Sequence, residues 1–95
     1  RILMVNLKLV RKNEARIPFA CGKTLFQQKI NAGLVPPPIK LSSRAVAFYE
    51  HEINATIAAT IFGYSDEEIK DFVATLVEKR KTLLDHYMYK AAAND

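Results

Sequence analysis

Three consecutive prolines, Pro36, Pro37 and Pro38, constrain this chain more than any other feature. Each lacks an N–H and holds its φ near one value, so the run must be an extended, polyproline-like connection. No helix can cross it. Whatever precedes residue 36 has to finish its helices first, and whatever follows has to begin extended. Pro18 acts likewise on a smaller scale, because proline disfavours helix at the residue before it. Between these two breaks, residues 23–32 read as a helix stopped by Gly33. Residues 11–17 read as a shorter helix stopped at Pro18, and residues 19–22 as a turn containing Gly22. Residues 2–10 alternate apolar and polar after the first few positions, which suits a short strand or an entry segment.

Downstream of the prolines, Ile39-Lys40-Leu41 and Ala45-Val46-Ala47-Phe48 flank Ser42-Ser43-Arg44, the pattern of a β-hairpin. Residues 49–61 form a third helix with Ile53, Ile57 and Ile61 as its apolar stripe. Gly63 breaks that helix. Ser65 and Glu68 make a capping box, which opens a helix of about 25 residues, roughly 37 Å long. The expected fold is mostly α with a small β-hairpin. It is a winged helix-turn-helix over residues 1–64 and a C-terminal helix over residues 65–95, together one compact domain.

The net charge of +4 conceals an asymmetry. Residues 1–48 carry nine Lys or Arg against Glu14 alone, a balance of +8. Residues 49–95 carry five against nine Asp or Glu, a balance of −4. A basic half of this kind points to a polyanionic partner, although a solvated basic face explains it as well. No apolar run is long enough to span a bilayer. One cysteine, Cys21, and no export signal suggest a reducing cytoplasm.

The second helix focuses the argument. Phe26 and Ile30 lie four apart and share its inner face. Lys23, Thr24, Gln27, Gln28 and Asn31 populate the other side, which contains no carboxylate. Such a helix fits the major groove of duplex DNA. Gln and Asn can donate to and accept from adenine, while Lys can reach guanine. Lys12, Arg16, Lys40 and Arg44, with Ser42 and Ser43 in the hairpin turn, flank it where phosphates would lie. Double-stranded DNA is therefore the expected partner. A polar helix face or a short basic hairpin is, by itself, more often a plain surface.

The block Ala32-Gly33-Leu34-Val35-Pro36-Pro37-Pro38-Ile39-Lys40-Leu41-Ser42-Ser43-Arg44-Ala45-Val46-Ala47-Phe48-Tyr49-Glu50-His51-Glu52-Ile53-Asn54 resembles the signature of AlpA-type prophage regulators. That signature is a glycine ending the second helix, Phe-Pro-x-Pro, an apolar-Lys-Leu strand, a turn, then Arg-x-Val-x-Trp and an acidic helix start. Lys12-Asn13-Glu14-Ala15 is similar to the family's first helix. The resemblance covers roughly residues 9–58. Val35 replaces the usual Phe and Phe48 the usual Trp, both apolar. Leu25 and Gln27 stand where Thr and Tyr are common, so a different DNA sequence would be read. Pro18 is also unusual. The resemblance implies base reading by Lys23, Thr24, Gln27, Gln28 and Asn31, and a wing served by Lys40 and Arg44. It implies transcription control, without a cofactor. Related excisionases bend attachment-site DNA instead, and a module that grips a regulator or an integrase is the alternative of another class.

Enzymatic readings are weaker. Gly22-Lys23-Thr24 resembles the end of a phosphate-binding loop, but Ile17 occupies the place of its first glycine. His51 and His86 have no cysteine pair beside them, so no metal site is expected. Cys21 suits a small packed thiol better than a nucleophile. Asp66, Glu67 and Glu68 fit a helix N-terminus. In the last helix Ile69, Val73, Leu76, Arg80, Leu83 and Tyr87 follow 4-3-4-3-4 spacing, a coiled-coil seam interrupted by Arg80. Ile69, Val73, Leu76, Leu83 and Tyr87 are the expected homodimer contacts; completion of the chain's own core is the competing reading.

Overall fold

The computed structural model describes residues 8–93, with side chains through Tyr89. In chain order it contains β1 (Leu9–Val10), α1 (Lys12–Ala15), a 3₁₀ turn (Ile17–Phe19), α2 (Lys23–Asn31), β2 (Ile39–Lys40), β3 (Val46–Tyr49), α3 (Glu50–Phe62) and α4 (Asp66–Ala93). The fold is mostly helical, with a small antiparallel sheet and a long last helix.

The sheet has one strand more than the expected hairpin. Its order is β1-β3-β2, with β3 central. Ile39 faces Ala47 and Lys40 faces Val46 across the hairpin, while Leu9 faces Tyr49 and Val10 faces Phe48 on the other edge. β1 thus ties the entry segment to the root of α3, and the Lys8 carbonyl accepts from the Glu50 N–H at 2.9 Å. The hairpin turn closes without glycine. The Ala45 carbonyl accepts from both Leu41 and Ser42, and the Ser42 hydroxyl accepts from the Arg44 N–H.

Phe26 lies at the centre of the main core. Its ring meets Phe19 at 5.7 Å and Phe48 at 5.5 Å. Val10, Ala15, Val35 and Ile53 complete the cluster, with Cys21 and Ile30 at its edge. Because Phe48 comes from the central strand and Phe26 from α2, this contact sets α2 against the sheet. A second cluster joins Ala59 to Ile69 and Val73, with Leu34 and Phe72 packed against it.

Several local expectations change. The first helix is four residues long, and Pro18 sits inside the following 3₁₀ turn rather than after a helix. The left-handed residue of that turn is Ala20, at φ 55°; Gly22 is extended at φ −81° and precedes α2. Gly33, at φ 82°, does end α2, and the Leu34 N–H reaches back to the Lys29 carbonyl at 2.9 Å. In α3 the isoleucine stripe fails at its end, since Ile57 is half-buried and Ile61 is 80 % exposed. The buried side is Glu52, Ile53, Thr56 and Ala59. Burial of Glu52 and Thr56 has a physical reason. The Thr56 hydroxyl donates to the Glu52 carbonyl at 2.8 Å, and the Glu52 carboxylate meets Arg80 of α4.

α4 opens as its sequence dictates. The Ser65 hydroxyl accepts from the Glu68 N–H at 3.2 Å, and the Glu68 carboxylate accepts from the Ser65 N–H at 2.8 Å. No helix among the described residues is long and apolar enough to cross a membrane.

Candidate nucleic-acid interface

With Phe26 and Ile30 turned inward, helical geometry sends the rest of α2 outward. Lys23, Thr24, Gln27, Gln28 and Asn31 are all exposed. Leu25, at 48 % exposure, is an apolar neighbour of that face. Two of the polar residues are tied to α1. Lys12 Nζ donates to Gln27 Oε1 at 2.6 Å, and Gln27 Nε2 donates to Asn31 Oδ1 at 3.0 Å. Lys12 was expected to meet phosphate; its ammonium is directed at the second helix.

A basic notch opens beside the N-terminus of α2. Arg11, Lys12, Asn13, Lys23, Arg44 and Val46 line it. Three elements therefore converge here: the start of α1, the start of α2 and the tip of the hairpin. No carboxylate lines the notch. Among the described residues, none of its four cations forms an ion pair, whereas Lys8, Lys70, Arg80 and Lys81 do. Lys40 stands opposite Val46 in the strand register, on the same face of the sheet. Ser42 and Ser43 are exposed at the hairpin tip, and Ser42 is engaged with the Arg44 backbone.

Lys12, Lys23 and Arg44 thus come together at the notch, with Lys40 across the strand pair from its Val46, while Arg16 is placed elsewhere. Its Nη1 donates to the Cys21 carbonyl at 3.1 Å, and its Nε is buried. The 3₁₀ turn folds the chain back over Arg16, so the guanidinium braces the turn between the helices. Arg11 and Asn13 were not expected at the site. The Arg11-Lys12 pair is their only sequence signal. Their convergence with Arg44 depends on β1 pairing with β3, contacts far apart along the chain.

The expected helix seam divides in two. Ile69 and Val73 are buried at 5 % exposure against α3 and Leu34, within their own chain, and are not available to a partner. Arg80 explains its interruption of the seam. Its guanidinium grips Glu52 through Nε at 2.8 Å and Nη2 at 2.6 Å, donates from Nη2 to the Pro37 carbonyl at 2.8 Å and lies over the Tyr49 ring. Leu76 and Leu83 are half-buried, and Leu84, Tyr87 and Met88 are exposed.

Other reactive groups are scattered. Cys21 is half-buried beside the main core, and His51 packs against Tyr49. Among the described residues, no group of three or more His, Cys, Asp or Glu side chains could hold a metal ion. Comparison with family models, with curated proteins and with solved structures finds no match to this chain.

Proposed function

We propose that this protein binds duplex DNA sequence-specifically through α2 in the major groove and regulates transcription in the manner of AlpA-type prophage regulators. One observation carries the proposal: an exposed, carboxylate-free face of α2 flanked by an unpaired basic notch. Lys23 and the amide side chains on the helix supply base-edge contacts, while Arg11, Arg44 and Lys40 meet the phosphates on either side. On this reading the protein works in the cytoplasm at the nucleoid and needs no cofactor.

A second copy would join through the outer end of α4, at Leu83, Leu84, Tyr87 and Met88, and so present two reading helices to two half-sites. Exposure of Leu84 and Met88 at 55 % and 61 % supports that arrangement.

The test is fluorescence anisotropy against a pool of random duplexes over a salt series, with selection and sequencing of the bound fraction. Steep weakening with salt and convergence on one site are expected. Absence of binding at low salt would overturn the proposal and leave a protein-interaction module as the better reading. A large bend in the bound duplex would move the role from promoter control to an excisionase-like one.

A further inference from the structure

We infer that the free end of α4 seats in an apolar groove of a second copy, within an antiparallel pair of α4 helices closed on a two-fold axis near Val77. This rests on the pairing through α4 proposed above, and not on the DNA reading. The groove lies at the opposite end of α4. Phe19, Leu34, Ile57, Ile61 and Tyr64 line it, beside Lys29 and the α4 residues Asp66 and Ile69. Its volume is about 280 Å³. An apolar cavity of about 150 Å³ admits a benzene-sized group, so two side chains of the size of Leu and Met fit. Ile61 on its wall is 80 % exposed, and Phe62 next to it is 83 % exposed.

The chain cannot fill this groove with its own tip. Asp66 stands at the groove, and Met88 lies about 33 Å further along the same helix. A second copy supplies what the first cannot reach. At about 100° per residue, Val77, Leu84 and Met88 fall within a strip of α4 about 40° wide. They are 37 %, 55 % and 61 % exposed.

Charge fixes the direction. Residues 66–78 carry five Asp or Glu against Lys70, a balance of −4. Residues 79–89 carry Lys79, Arg80 and Lys81 against Asp85, a balance of +2. A parallel pair would set like charge beside like along its length. An antiparallel pair sets the acidic start of each helix beside the basic end of the other, and opposes the two helix dipoles. The sign changes next to Val77, so charge and apolar strip agree on the centre. Centred there, the pair brings Met88 level with Asp66 of the partner subunit, at the mouth of its groove. The same operation fills both grooves, so the assembly closes at two copies. The reading face stays free, because Lys29, on the groove side of α2, lies about 160° round that helix from Gln27.

The experiment is cross-linking in solution with a short bis-maleimide, on chains whose native thiol is removed by Cys21→Ser. Met88→Cys and Ile61→Cys, both at exposed positions, are mixed in equal amounts. The mixture should yield a cross-linked dimer of one variant with the other, and neither variant should cross-link alone. Val77→Cys alone should cross-link to itself across the axis. Ile61→Asp leaves the apolar strip of α4 untouched, yet should raise the dimer dissociation constant about tenfold or more in sedimentation equilibrium. Cross-linking of Met88→Cys to itself, or an Ile61→Asp variant that dimerises as tightly as the unaltered chain, would overturn the inference while leaving a pair formed tip to tip. A monomer at every concentration would overturn the pairing and the inference together. Neither result touches the DNA reading, which the salt series tests.

Discussion

Glu52 is a carboxylate at 1 % exposure, a position that an unpaired charge would destabilise severely. Arg80 neutralises it with two hydrogen bonds from one guanidinium. Arg80→Ala would leave the carboxylate buried and alone, and is expected to cost about 3–5 kcal/mol. Urea unfolding measures this. The double variant Glu52→Leu with Arg80→Met removes both charges and should recover most of the loss; failure to recover would mean that the Pro37 and Tyr49 contacts dominate. Gln28 lies at the opposite extreme, exposed and with no side-chain hydrogen bond among the described residues. Gln28→Ala should therefore leave stability unchanged. It should weaken the selected DNA site by about 1–3 kcal/mol and leave random DNA nearly unaffected. An equal loss on both would remove Gln28 from base reading.

At the scale of elements, α2 and the hairpin act as one unit because Phe26 and Phe48 share the core. The notch between them gives a quantitative expectation. Each phosphate contact contributes close to one unit to the slope of log affinity against log salt. Arg11→Ala and Arg44→Ala should each lower that slope by about one, on specific and random DNA alike. Arg16→Ala should leave the slope unchanged and reduce stability, since that guanidinium is spent on the Cys21 carbonyl. The contrast between Arg16 and Arg11 marks where sequence reasoning stops. Both are basic residues of the first helical segment, and only the path of the 3₁₀ turn decides which is free. Features closed within a few residues were legible: the Ser65–Glu68 cap, Gly33 ending α2, and the polar face of α2. Features closed across the chain were not. The inner face of α3 follows Glu52 and Thr56 rather than Ile57 and Ile61 because Arg80 arrives 28 residues later to pair with Glu52. The pairing of β1 was hidden for the same reason: residues 2–10 suited either a short strand or an entry segment, and only β3 lying beside Leu9 and Val10 decides between them.

At the scale of the whole molecule, α4 has 28 residues, about 42 Å at 1.5 Å each, in a body measuring 45 × 33 × 17 Å. Its first half is fastened by Ile69, Val73 and Arg80. Beyond Arg80 it continues to Ala93, and its described side chains, through Tyr89, are mostly exposed. An isolated helical stretch of about 12–15 residues is marginal in water, so an added partner should stabilise it. Sedimentation equilibrium is expected to find a dimer. Leu84→Asp with Met88→Asp should shift it to monomer and weaken binding to an inverted repeat, while binding to a single half-site is kept. A monomer at all accessible concentrations would remove the dimer and leave α4 as a brace for the domain.

The turn between the two short helices stands on Ala20, held in a left-handed conformation at φ 55°. A side chain there costs about 1–2 kcal/mol that glycine avoids, part of which glycine returns as unfolded-chain freedom. Ala20→Gly should therefore raise the thermal midpoint modestly, by a few degrees, as calorimetry would register. Alanine and glycine codons differ at a single base. The chain thus stands one nucleotide away from a more relaxed corner, and that neighbouring sequence is open to any lineage in which greater heat resistance is selected.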